Sequence, residues 1–259
     1  MDNKYSMDDF LKAGVHFGHN KSKWHPNMAP YIFMEANGIH LIDVKKTINK
    51  LDVAAKVAKN IAKSGRKILF VATKKQAQDI VEKAAKSVDM PYVCQRWLGG
   101  MLTNFATVRK SLKKLSQYER MISEGTTDKL NKKERLMMQR EKEKLESVLG
   151  GISELKRLPA ALFVVDIKKE HIAIAEAKKL NLNTIAIVDS NSNPKLVDFA
   201  IPANDDSTKS VTIITEIITQ AIAEGLNERK AKKQDDGDKG SKENQGKAGR
   251  KPRKRISNR

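Results

Sequence analysis

A single cysteine, Cys94, stands in 259 residues. That scarcity excludes an intramolecular disulfide and a cysteine-rich zinc site, and it fits a reducing compartment. Placed just after the apolar pair Tyr92-Val93, Cys94 reads as a small buried residue rather than a reactive thiol. No stretch approaches the roughly 18 uninterrupted apolar residues of a membrane span, and the polar start Met1 to Ser6 leads into no apolar segment. The expectation is a chain that is neither exported nor inserted. Phosphate-binding glycine loops are missing as well. After the apolar run ending at Ala72 comes Thr73-Lys74-Lys75-Gln76, with neither G-x-G-x-x-G nor G-x-x-x-x-G-K-[ST], so no glycine turn brings amides against a phosphate there. A G-x-S-x-G elbow is also absent, and no other nucleophile arrangement appears.

What the chain has in excess is positive charge. With 50 Lys and Arg against 31 Asp and Glu, the net charge is +19, which points to a polyanionic partner. From Glu228 onward, 13 Lys and Arg face 5 Asp and Glu, so most of the surplus lies in the body. At 39% hydrophobic content, the body can bury one substantial core.

Patterning makes the body α/β. Ser6 followed by Asp9, with Gly14 beyond, predicts a short capped helix, and Asn37-Gly38 separates two short strands at Tyr31–Phe33 and Ile39–Ile42. Asp43 caps a helix over Val44–Lys63, whose Val44, Ile48, Leu51, Ala55, Ala58 and Ala62 share one face and which Gly65 ends. Strands covered on both faces are predicted at 67–72, 161–165 and 184–188, with a further one at 198–201 and helices at 77–88, 170–180 and 207–224. Alternation of this kind implies βαβ units around a parallel sheet.

An insertion interrupts it. Val108, Leu112, Leu115 and Ile122 form a narrow seam on one helix, and Met138, Leu145, Val148 and Ile152 on a second, with Asn131 and Glu134 resembling a helix-start cap. The organisation read from this is an α/β domain in two parts, 1–103 and 153–226, an inserted antiparallel helical (coiled-coil) hairpin at 104–152, and a basic tail at 227–259 too poor in apolar residues to order itself. Gly99-Gly100 and Gly150-Gly151 read as hinges at the hairpin's root.

Three imidazoles, His16, His19 and His25, could hold zinc, though their spacing is not diagnostic and donors to phosphate would serve equally there. His40 and His171 read as packed residues. Asp166, Asp189, Asp205 and Asp206 lie at or after strand ends, where carboxylates hold a divalent ion or, more commonly, cap helices.

Cations beside aromatic rings carry more weight. Lys21, Lys23, Trp24 and His25 in one loop, and Arg96 with Trp97 in another, pair charge for phosphate with rings that either stack on exposed bases or anchor in the core and leave the adjacent cations outside. The hairpin adds Arg109, Lys110, Lys113 and Lys114 on its first arm, which has no carboxylate from 105 to 118, and Lys132 and Lys133 on its second. These twelve residues are the candidate RNA contacts. No catalytic residue, metal ligand or cofactor is assigned.

The stretch Arg96 to Phe105, reading RWLGGMLTNF, resembles the signature of the bacterial small-subunit ribosomal protein S-two family. So do His16-Phe17-Gly18-His19 with Trp24, Asn37 to Asp43, Leu162 to Asp166 and Ile185 to Ser192, in the family's order, from about Met7 to about Leu226. The resemblance implies a three-layer sandwich with a mostly parallel, five-stranded, flavodoxin-like sheet. It implies a structural role in the small ribosomal subunit, between head and body. The implied partners are small-subunit ribosomal RNA, neighbouring ribosomal proteins and, in many bacteria, ribosomal protein S-one. Two rivals compete with this reading. An RNA-modifying or nucleotide-dependent enzyme is opposed by the missing phosphate loop and nucleophile, and a basic membrane-surface protein by the lack of an apolar insertion face.

Overall fold

The computed structural model describes residues 5–124 and 131–247, with 233–247 described as backbone helix only. Its N-terminal part is small and antiparallel. Helix α1 (Met7–Lys12) starts in a capping box, in which the backbone and hydroxyl of Ser6 both donate to Asp9. Strands β1 (Phe17–Asn20), β2 (Ile32–Ala36) and β3 (Ile39–Ile42) form a sheet in the order β1-β3-β2. Asn37 and Gly38 both adopt positive φ in the β2–β3 turn, as a two-residue hairpin of right-handed twist requires. Strand β1 had no sequence signal, because Phe17-Gly18-His19-Asn20 does not alternate in polarity.

Helix α2 (Val44–Lys63) has the predicted boundaries, with the Asp43 carboxylate accepting from the amide of Lys45. Then come β4 (Ile68–Val71), α3 (Lys75–Ser87) and a two-residue strand β5 (Tyr92–Val93). The chain leaves the body as α4 (Phe105–Ser123) and returns as α5 (Lys132–Leu149), whose Asn131 and Glu134 form the predicted capping box. The break between the arms lies mostly outside the described residues. Strand β6 (Ala161–Val165), α6 (His171–Lys179), β7 (Asn183–Val188), β8 (Phe199–Pro202) and α7 (Thr208–Lys247) complete the fold.

The larger sheet runs β5-β4-β6-β7-β8 with every neighbouring pair parallel. This is the flavodoxin-like order, which hydrophobic periodicity could not supply. Alternate residues serve opposite faces. Ile68, Phe70, Phe163 and Val165 meet α2, α3 and α7 in one core, while Leu69, Val71, Leu162 and Val164 meet α6, the hairpin root and Met28 in a second. That two-sided burial is why these strands read as unbroken apolar runs.

One boundary needs correcting. The last helix does not stop near Leu226 but runs to Lys247. Where it passes α2, Glu228 bridges Lys59 at 2.9 Å and Lys63 at 2.6 Å, and no proline lies between Thr208 and Lys247 to break the helix. The part of the predicted tail beyond 247 lies outside the described residues.

Candidate nucleic-acid interface

The decapeptide from Arg96 to Phe105 forms the root of the hairpin, and it is organised around a residue the sequence reading did not single out. Glu176, buried on α6, accepts five hydrogen bonds from it. One oxygen receives the indole Nε1 of Trp97 at 3.1 Å and the amide of Gly100 at 2.7 Å. The other receives the amides of Leu102 at 2.9 Å and Thr103 at 3.0 Å, and the Thr103 hydroxyl at 3.1 Å. Burial pushes the carboxyl upward in pKa, but this set of donors outweighs it and holds the group below its ordinary value, so it is charged. Gly100 sits at φ +85°, where a side chain would be strained, and at that turn its amide points at the carboxylate.

Trp97 therefore takes the core-anchoring position. Its ring is 7% exposed, packed in the second core with Met101 and Leu102, and its one polar atom is spent on Glu176. The neighbouring Arg96 remains exposed. At the other root, a Cβ at Gly151 would run into the carbonyl oxygen of Tyr92, so this glycine permits close packing of α5's end on β5 rather than hinging. Cys94, between the roots, is buried, and burial pushes its thiol up to about 12.

Along the arms the seam closes only near the body. Leu112, Leu115 and Leu149 are buried, with Val108, Leu145 and Val148 packed beside them, whereas Ile122, Leu136 and Met137 are exposed. Ile122 thus falls outside the seam assigned to it. On the outward face of α4, Arg109, Lys110 and Lys113 are exposed with no carboxylate within 4.0 Å among the described residues. Lys114 differs. It bridges Glu141 at 2.8 Å and lies 5.3 Å over the Tyr118 ring, and Tyr118 donates to the same carboxylate. Lys132 and Lys133 stand exposed in the first turn of α5, where the helix dipole opposes positive charge.

In the N-terminal loop, Lys23 is exposed and Trp24 is 38% exposed, one side of its ring tilted against the buried His40 at 5.2 Å. Lys21 bridges Glu35 at 2.8 Å on the surface. His25 holds the local turn. Its Nδ1 accepts from the Asn27 amide at 3.2 Å and its backbone amide donates to Ser190 at 2.8 Å. His171, read as packed, is exposed.

At the carboxyl ends of the strands, where doubly wound sheets bind ligands, the crevice holds a charge cluster instead. Lys74 follows β4, and its ammonium lies 3.6 Å from Asp166, 2.6 Å from Asp205 and 2.6 Å from Asp206. Burial opposes that charge, but the three carboxylates outweigh it and raise its pKa. Burial, together with Asp189 and Asp166, pushes Asp205 up to about 7 against the pull of Lys74. Asp205 and Asp206 do not cap α7. The Ser207 hydroxyl does so, accepting from the amide of Ser210 at 3.4 Å, while the Asn204 side chain accepts from the amides of Asp206 and Ser207 in the turn before the helix. Asp166 closes the turn before α6, accepting from the amides of Lys168 and Lys169.

The three imidazoles considered for zinc do not converge. His16 packs on Phe17, His25 caps, and only His19 reaches the crevice, at 2.9 Å from Asp189 and 3.5 Å from Asp206. His19, Asp189, Asp205 and Asp206 offer ligand atoms within 4.8 Å of one another, the one such group among the described residues, with the Lys74 ammonium bound to the same carboxylates. Among the described residues, no helix is long and apolar enough to cross a membrane.

Residues 10–225 match the family model described as Ribosomal protein S2. Among curated proteins, the chain is 63% identical to "Small ribosomal subunit protein uS2" of Cytophaga hutchinsonii, covering 91% of this chain and 92% of that one. It is 57% identical to the protein of the same name from Flavobacterium johnsoniae, over 90% and 92% of the two chains. A third relative so named, from Parabacteroides distasonis, is 57% identical over 90% and 84%.

Proposed function

The chain belongs to the ribosomal protein S2 family, and from that premise we propose that it grips small-subunit ribosomal RNA through cations carried on a rigid α/β body and its hairpin. It is a structural constituent of the bacterial small ribosomal subunit and not an enzyme, which places it in the cytoplasm with ribosomal RNA and ribosomal proteins as partners. The grip is assigned to Lys23, Arg96, Arg109, Lys110, Lys113, Lys132 and Lys133, with the outer face of Trp24 available to a base. Lys21 and Lys114 join by exchanging a surface carboxylate for a phosphate. That exchange costs little, because exposed ion pairs contribute only about 0–1 kcal/mol.

The observation that carries the reading is the run of Arg109, Lys110 and Lys113, exposed on one helix face without carboxylate partners among the described residues. Positive groups left unneutralised in this way gain most by displacing counterions from a phosphate backbone. The family resemblance further suggests that the chain anchors ribosomal protein S-one. The exposed Phe33 and Met34 of β2 offer apolar surface for a protein partner.

Photo-crosslinkers placed at 109, 110 and 113 test the RNA assignment in assembled subunits. Covalent products with ribosomal RNA are expected from all three positions. Products with protein alone would refute the assignment of this arm.

A further inference from the structure

We infer that Glu176 aims the hairpin. Its carboxylate fixes the direction in which α4 leaves the body and so positions Arg96 and the first arm, a role that rests on reading this arm as the RNA-gripping surface. All five of its donors lie between Trp97 and Thr103, and α4 begins two residues later at Phe105. The neighbours of Glu176 on the buried side of α6, Ala173, Ile174 and Ala177, fill the second core. An apolar residue in its place would serve packing equally well, so the carboxylate at 176 is there for what it receives. It has no cation partner among the described residues, and the only formal charge between Gln95 and Asn104 is the exposed Arg96. Glu176 is thus a pure acceptor, and the loop's polar backbone folds around it.

Geometry makes the root decisive. Helix α4 has 19 residues, and at about 1.5 Å of rise per residue it is a lever of roughly 28 Å. A turn of about 10° at the root would carry the far end roughly 5 Å, enough to move a cation off its phosphate. The two oxygens divide the donors into a pair, Trp97 and Gly100, and a trio from Leu102 and Thr103. In Glu176→Gln, whichever position becomes the amide nitrogen leaves its set of donors facing another donor.

Spin labels at Lys50→Cys on α2 and Ser123→Cys on α4 report the hairpin's direction in the full chain, and the buried Cys94 stays unlabelled. The native protein should give one narrow distance distribution, and Glu176→Gln a broadened or shifted one. Glu170→Gln is the control, because Glu170 is a buried carboxylate bound to Thr73 with no bond to the root. It should leave the distribution narrow. A native distribution in Glu176→Gln would overturn the proposal. If that variant fails to fold, Trp97→Phe and Thr103→Val each remove one donor. Broadening in both would support the aiming role, and narrow distributions in both would end it. Glu176→Gln should also bind small-subunit RNA about tenfold more weakly, the loss of roughly one phosphate contact. A displaced hairpin with native RNA affinity would uphold the aiming role and overturn the RNA reading on which its purpose rests.

Discussion

At the carboxyl ends of the strands the ammonium of Lys74 is closed in by Asp166, Asp205 and Asp206, while on α4 the cations of Arg109, Lys110 and Lys113 face outward with no carboxylate beside them. The first setting is where an α/β sheet would hold a substrate, and here its charge is consumed internally. The second is a bare helix arm whose charge has no use inside the chain. Composition counts each of these four cations alike in the net +19. What separates them is whether distant carboxylates fold back onto the lysine, and only the unpaired set is available to an anionic polymer.

Removing the central charge breaks the comparison most violently. Lys74→Met leaves three neighbouring carboxylates without their counter-charge and should cost about 3–5 kcal/mol in chemical denaturation. At a denaturant concentration where the variant remains folded, its RNA affinity should match the parent. Unchanged stability would show that the cluster is not held by Lys74. A smaller effect comes from acid. Glu176 is held below its ordinary value of 4.5, so its contribution to stability is complete above that pH and is lost as pH falls through the folded-state value. The distance between labels on α2 and α4 should broaden as pH falls through that lowered value, before the body's circular dichroism changes, and Glu176→Gln should abolish that pH dependence. The smallest effect is expected at Lys114. Its bridge to Glu141 is solvent-exposed, so Lys114→Gln should leave the melting temperature unaltered. A clear loss of stability would mean the hairpin needs this pair to stay closed.

Local rules made much of the fold legible. The Ser6–Asp9 and Asn131–Glu134 caps and the whole of α2 between Asp43 and Gly65 depend on residues within one helix, so their spacing in sequence is their spacing in space. Unbroken apolar runs at 68–71 and 161–165 announced strands buried on both faces. The site was less legible because its decisive contacts are remote. Glu176 sits 76 residues from the glycine amide it binds, and Asp205 sits 131 residues from Lys74. Neither distance leaves a mark in periodicity. Beside the basic Arg96, Trp97 is readable as a stacking ring or as a core anchor, and the acceptor that draws its indole inward lies on another helix. The continuation of α7 past Leu226 leaves no apolar mark either, and the lysines that meet it just beyond, Lys59 and Lys63 at Glu228, lie on α2.

The claim at the centre is that unpaired cations on α4 neutralise RNA phosphates, and the salt dependence of binding tests it most directly. Affinity for small-subunit RNA should be measured across a range of salt concentrations for the native chain and for the triple variant Arg109→Gln, Lys110→Gln, Lys113→Gln. If each side chain neutralises one phosphate, the slope of log affinity against log salt should become shallower by about 2–3 in the variant, at about 0.7–0.9 per contact, with the fold unchanged. Parallel lines for the two proteins would contradict the account.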